Sequence, residues 1–226
     1  TDAMSDIDRL KQDLRAAIDA CKPDGTYDDT TFDRIHALIG ELVPHTPVPR
    51  PLDRQDFVAS PWGSHFAQFG PRHTAGKPIW HVSSLKLQSF NAFGDIPIKV
   101  HEIDQEIRVE GHHYNNVTEI TTPDGAHAAR LVVWGRYDIP EEDKPQRYAV
   151  EVYAVEIVPP PGVSEAEERE AFGLEPESAL RRELKPPKLH SDVVYCDEDM
   201  RVNFGSMGGV YVMNRKPGPG KSVDFI

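Results

Sequence analysis

The feature that most constrains this chain is a succession of segments whose apolar residues recur at every second position. The pattern begins at Trp62 and returns, with short breaks, almost to the C-terminal end. A period of two puts alternate side chains on the two faces of a β-strand. Residues 98–109 show it most cleanly: Ile103, Ile107 and Val109 share a face with His101 and Gln105. Residues 79–90 (through Val82, Leu85 and Leu87), 112–121, 127–138 and 147–158 read as further strands. Pro123-Asp124-Gly125 is a hairpin turn signal, and 140–145 is a polar turn. Two last strands are expected at 192–203 and 208–214, joined around Gly205-Ser206-Met207-Gly208. Sequential strands with short turns predict an antiparallel meander.

The segments around the strands are helical or proline-rich. Ile7, Leu10, Leu14, Ile18 and Cys21 draw one helical stripe over 6–21. A second helix is expected from Asp29 through Phe32, Ile35, Leu38, Ile39 and Leu42, stopped by Pro44. Pro159-Pro160-Pro161-Gly162 interrupts the strands. Ser164 with Glu167 then predicts a capped helix ending at Gly173. A second short helix is expected at 176–184. The predicted fold is mainly β (α+β), an antiparallel barrel of about eight strands over residues 6–215. Within it, 6–44 are helical, 56–158 carry the main strands, 159–190 form a helical insertion and 191–215 close the barrel. Residues 216–226 are expected to be a flexible tail. A barrel of ~8 strands is filled by its own side chains or holds one small ligand.

Composition narrows the partners. The chain has 226 residues, ordinary for a single barrel, with 37 acidic against 25 basic residues and a net charge of -12. That balance argues against nucleic acid and against docking on anionic lipid. Cys21 and Cys196 show no metal or redox spacing and read as free thiols of a reducing, cytoplasmic setting. The N-terminus is acidic rather than signal-like, and Thr1–Ala3 before Met4 read as foreign to the fold. No stretch approaches the ~20 apolar residues of a membrane span.

Polar residues inside the strands are the candidates for chemistry. His81, His101, Gln105, His112, His113, Tyr114, Asn116, Arg136, Glu151 and Tyr153 all fall there. On a sheet with one wet face such residues are ordinary. Facing a barrel interior they need partners or a ligand, because an unpaired buried polar group costs ~1–3 kcal/mol. His101, His112, Tyr114, Glu151 and Asp199 are the candidate proton-transfer residues, a histidine acting as base and an acid orienting it. Trp80, Gln105, Asn116, Arg136, Tyr153 and Arg201 are the candidate ligand contacts. His112 and His113 are neighbours on one strand, so at most one faces inward. No spacing forces a metal site. Gly205-Ser206-Met207-Gly208-Gly209 lies between strands, so it is no phosphate loop, and no cofactor is expected. Asp197, Asp199 and Arg201 alternate on one expected strand. Arg201 then either bridges acids to pin the closure or meets the polar head of a ligand at the cavity floor.

The C-terminal strand pair reads Tyr195-Cys196-Asp197-Glu198-Asp199-Met200-Arg201-Val202, then Gly205, Gly208-Gly209-Val210-Tyr211-Val212. It resembles the closing motif of the plastid lipid-associated protein (PAP, or fibrillin) family. There a tyrosine, an acidic pair, an arginine and a glycine turn precede an apolar strand. Two helices, a proline-rich link, Trp62, Gln105 and Tyr114-Asn115-Asn116-Val117 agree with that family in outline. Asn203-Phe204-Gly205 departs from the family's Arg-Gly, Ser60-Pro61-Trp62 from its Gly-x-Trp, and the insertion at 159–190 is unlike the plant members. The resemblance implies a lipocalin-like barrel, in a bacterial relative, that binds lipophilic molecules; the plastid role does not carry over. Two functions follow. One is a carrier of a small lipophilic or aromatic metabolite. The other is a cofactor-independent lyase, isomerase or cyclase acting on an aromatic or isoprenoid substrate in the same cavity. A third reading is an interaction module built on the acidic insertion.

Overall fold

The computed structural model describes residues 4–23, 25–69, 82–140 and 143–222. Ser5 and Asp28 accept hydrogen bonds from the first turns of α1 (Asp6–Asp19) and α2 (Asp29–Leu42), so both helices start at side-chain caps. A 3₁₀ turn, Val43–His45, carries Pro44, and a second turn, Pro51–Arg54, leads into the short α3 (Gln55–Val58). The strands follow: β1 (Ser60–Gln68), β2 (Val82–Ser84), β3 (Pro97–Arg108), β4 (His113–Thr121), β5 (Ala128–Asp138) and β6 (Arg147–Val158). After α4 (Leu85–Gln88), which lies between β2 and β3, the remaining elements are α5 (Glu165–Ala171), β7 (Arg181–Glu183), β8 (Lys188–Cys196), β9 (Met200–Gly205) and β10 (Val210–Arg215).

Eight of the strands close on themselves. The order is β1-β10-β9-β8-β6-β5-β4-β3, and β3 pairs back to β1 through Ser60↔Ile107 and Trp62↔Gln105. Every pairing is antiparallel, so the expected barrel is the observed one. β2 and β7 attach outside this ring, to β3 and β6. The 123–125 turn is as expected. Gly125 takes φ +76 and donates to the Thr122 carbonyl at 2.8 Å.

Three expectations about elements need correction. The strand expected over 79–90 lasts only from Val82 to Ser84 within the described residues. Ser84 then caps α4 by accepting from the Leu87 N–H. The helix expected at 176–184 is a turn followed by β7. The strand expected over 192–203 is two strands, because the Asp197 carboxylate accepts from the Asp199 and Met200 N–H groups and folds a tight turn between β8 and β9.

The barrel wall has two large cores, with a smaller cluster of Val117, Val132, Trp134 and Ala154 on its outer face. On the outside, α1 and α2 lay Leu14, Ile18, Ile35, Ile39 and Leu42 over Phe66, Tyr195, Val202 and Val212 of β1, β8, β9 and β10. Inside, Trp62, Ile107, Tyr114, Tyr148, Val193 and Met213 pack together at one end, which residues 48–58 plug with Val48, Leu52 and Val58. Trp62 is fixed there by donating its Nε1–H to the Val58 carbonyl at 2.9 Å.

Residues 216–222, expected to be loose, are strapped across the outer face of β3 and β4. Lys216 pairs with Asp104 at 3.0 Å and with Glu102. Lys221 pairs with Glu102 at 3.3 Å, Asp104 at 3.3 Å and Glu119 at 3.2 Å. The Ser222 N–H donates to both carboxylate oxygens of Glu106, at 3.1 and 3.0 Å. Under this strap Asp104 and Glu106 are buried.

Candidate functional site

The interior is not packed shut. A cavity of about 360 Å³ lies inside the barrel, walled by Ile103, Val133, Val150, Val152, Leu189 and Met213. That is at the small end of the ~300–1,000 Å³ typical of ligand cavities. It opens at the end opposite the plug, where Phe90, His190, Leu87 and Met207 stand around the mouth. Leu87 and Met207 are 62% and 72% exposed. Phe69 and Tyr211, edge to face at 6.1 Å, line the same side. Burial pushes the Tyr211 hydroxyl up to about 12, so it stays protonated.

A polar belt crosses the middle of the cavity. Gln105 donates to Asn116 at 3.2 Å across β3 and β4. Asn203 donates to Ser191 at 2.9 Å across β9 and β8, and its own carbonyl oxygen has no partner. Tyr114 stands beside the belt with its hydroxyl unpartnered.

Below the belt lies Arg201, fully buried. Its Nη2 donates to the Gln105 side-chain oxygen and to the Met213 sulfur, the latter at 2.7 Å. Its Nε and Nη1 have no partner. Its guanidinium sits 5.2 Å from the Trp62 ring centroid, and Arg215 covers the same ring at 4.3 Å. A desolvated cation–π contact contributes ~2 kcal/mol, less than the several kcal/mol that burying an ion costs. Among the described residues no carboxylate lies within ion-pair distance of Arg201. The expected bridge to Asp197 or Asp199 is absent, because the tight turn points both acids at α1. There Lys11 meets Asp197 at 2.7 Å and Asp199 at 2.5 Å.

The candidates from sequence divide cleanly. Gln105, Asn116 and Tyr114 line the cavity, and Arg201 underlies it. His101, Glu151, Asp199 and Arg136 are exposed on the outer wall or its turns. Tyr153 is stacked under the Arg136 guanidinium at 4.3 Å beside the outer cluster of Val117, Val132 and Trp134. His112 packs flat on Tyr137 at 4.6 Å in the β3–β4 connection at the plugged end. Trp80 and His81 lie outside the described residues. The convergence of His101 with His112 or His113 and an acid does not occur.

Bulges explain two of these placements. The β3–β4 register shifts between Val100 and Glu102, so His101 is the extra residue. Before it Ile98 and Val100 are buried in the interior core, and after it Ile103, Gln105 and Ile107 face inward. His101 is thrown outward, where it meets the Thr121 hydroxyl at 2.8 Å. A second shift, opposite Trp134 and Gly135, makes Tyr153 the extra residue of β6. Tyr148, Val150 and Val152 face in before it, and Val155 and Ile157 after it.

Tyr148, Ser191 and Asn203 were not singled out from the sequence. The signal was present, since Tyr148 keeps step with Val150 and Val152, and Asn203 with Arg201. Among the described residues no group of three His, Cys, Asp or Glu side chains is placed to hold a metal ion, and no helix is long and apolar enough to cross a membrane. Cys21 and Cys196 are free thiols. No protein-family profile, no curated protein and no solved structure matches the chain. The fold and the cavity therefore define a class, a closed antiparallel β-barrel with a hollow interior.

Proposed function

We propose that the barrel is a carrier that binds a small lipophilic or aromatic molecule in its interior. The observation that carries this reading is the cavity of about 360 Å³ with Ile103, Val133, Val150 and Val152 on its wall and an open, apolar mouth. The apolar part of this wall favours an apolar occupant. The likeness of residues 195–212 to the closing motif of the plastid lipid-associated proteins points the same way. Carrier is preferred over enzyme because His101, Glu151 and Asp199 are on the outer surface, and Tyr114, Tyr211 and His190, which line the hollow or its mouth, have no acid beside them among the lining residues.

The test is to fill the hollow. Val152→Trp places a large ring where a ligand would lie. Binding of Nile red, an uncharged lipophilic dye, is followed by fluorescence, and folding by circular dichroism. A folded variant should bind at least about tenfold more weakly, the loss of roughly 1.4 kcal/mol of contact. Unchanged dye binding in the folded variant would refute a cavity-binding role. Native mass spectrometry of the purified protein would then identify the natural occupant.

A further inference from the structure

Arg201 is an ion without an answering charge, and its surroundings hold only neutral acceptors and unpartnered phenols. Two of its three guanidinium nitrogens have no hydrogen-bond partner. The third is shared between a neutral amide oxygen and a thioether sulfur, which is a weak acceptor. The Tyr114 and Tyr148 hydroxyls, with ring centroids 5.9 Å apart, are both buried and both unpartnered. Burial raises the Tyr148 pKa, so that phenol remains a donor. Tyr148 belongs to the same interior cluster as Trp62 and Met213, the two side chains that Arg201 touches. Arg215 adds a second cation behind Trp62 and is satisfied by backbone carbonyls of Phe57, Asp197 and Glu198, all neutral. The plugged end of the barrel thus holds two guanidiniums and two free phenols, and no carboxylate is paired with either cation among the described residues. Gln105, Tyr114 and Met213 each line the cavity, and two of them are the direct partners of Arg201.

We infer that the ligand is an amphiphile with an anionic head, a carboxylate, that enters tail last and seats its head on Arg201. This rests on the cavity-binding reading and adds its polarity and orientation. A carboxylate is an acceptor only and can take hydrogen bonds from a guanidinium and a phenol at once. Gln105 and Met213 hold the guanidinium with neutral acceptors in the meantime. The apolar tail lies between Val133, Val150, Val152 and Ile103, pointing to the mouth. The net charge of -12 repels an acid at long range, so selection falls on this local, buried field rather than on steering.

The experiment compares decanoate with decanol, which share a tail and differ in the head. Each displaces Nile red from the wild-type protein, from Arg201→Met and from Tyr114→Phe at neutral pH. Wild type should prefer decanoate by at least about tenfold, roughly the worth of one charge-assisted hydrogen bond. Arg201→Met should lose the preference, its affinity for decanoate falling by far more than its affinity for decanol. Tyr114→Phe, which keeps its ring, should lose part of it. Equal binding of the two heads by wild type, or a preference that survives in Arg201→Met, would overturn the assignment of the head group while leaving the cavity reading intact. Failure of wild type to bind dye, acid and alcohol alike would overturn both. Should Arg201→Met not fold, Tyr114→Phe decides: an undiminished preference for decanoate counts against the assignment.

Discussion

Two parts of the barrel wall bury charge, and they treat it in opposite ways. On the outer face of β3 and β4, the half-exposed Glu102 and the buried Asp104 and Glu106 are answered by Lys216, Lys221 and the Ser222 amide, so both buried carboxylates there have a partner. Inside, Arg201 has a neutral amide, a sulfur and an indole face, and two nitrogens with nothing. The first arrangement is complete as it stands and reads as structure. The second is incomplete and reads as a place for something else. Breaking a buried pair is costly because it strands a charge, whereas replacing an unpaired buried ion by an apolar chain relieves one. The same operation on the two regions should therefore have opposite consequences.

The largest effect is expected outside. Lys216→Ala combined with Lys221→Ala leaves Asp104, 2% exposed, without a cation. Urea denaturation should show a loss of about 3 kcal/mol, as for breaking a buried pair. A loss within error of zero would mean the strap contributes nothing and the contrast is empty.

Glu168 sharpens the comparison from the other sign of charge. It is buried in α5, on the wall of a cleft that the 122–128 turn also lines, one carboxylate oxygen unpartnered, and burial alone pushes its pKa from 4.5 up to about 7. A carboxyl group can meet burial by staying protonated; an arginine cannot. Between the two values the folded state holds a proton that the unfolded state has released, so stability falls as pH rises through that window. Below 4.5 both states are protonated and the difference vanishes. Glu168→Gln should flatten that slope and exceed wild type in stability above pH 7. A slope unchanged by the substitution would show that Glu168 is solvated.

The smallest effect belongs to the ion pairs that join α1 to the β8–β9 turn. Lys11 meets both Asp197 and Asp199, and the latter is 58% exposed. Lys11→Ala should lower stability by ~0.5–1 kcal/mol, and by less in high salt. A loss as large as that of the strap variant would place this contact with the buried ones.

The sequence reveals the barrel far better than the site. β3, β4, β5 and β6 lie within one residue of their expected bounds, because long alternation followed by a turn signal has few other solutions. The bulges at His101 and Tyr153 leave no such trace. Each adds one residue and reverses which side chains look inward, and so His101 and Tyr153 are lost from the interior. The turn at 197–199 contains neither glycine nor proline, so β8 and β9 read as one strand and Arg201 as the partner of its own aspartates. Gln105, Asn116 and Tyr114 keep their expected place because they lie between the bulges and the barrel end, in unbroken register. Whether a buried arginine is answered depends on three or four neighbours from other strands, which no local pattern encodes.

The most direct measurement is the unfolding free energy of ligand-free Arg201→Met against ligand-free wild type, with the Lys216→Ala/Lys221→Ala protein alongside. Held only by ligand chemistry, Arg201 should be replaceable without loss, and the variant should be as stable as wild type or more so. A fall matching that of the strap variant would mean that Arg201, too, is part of the scaffold.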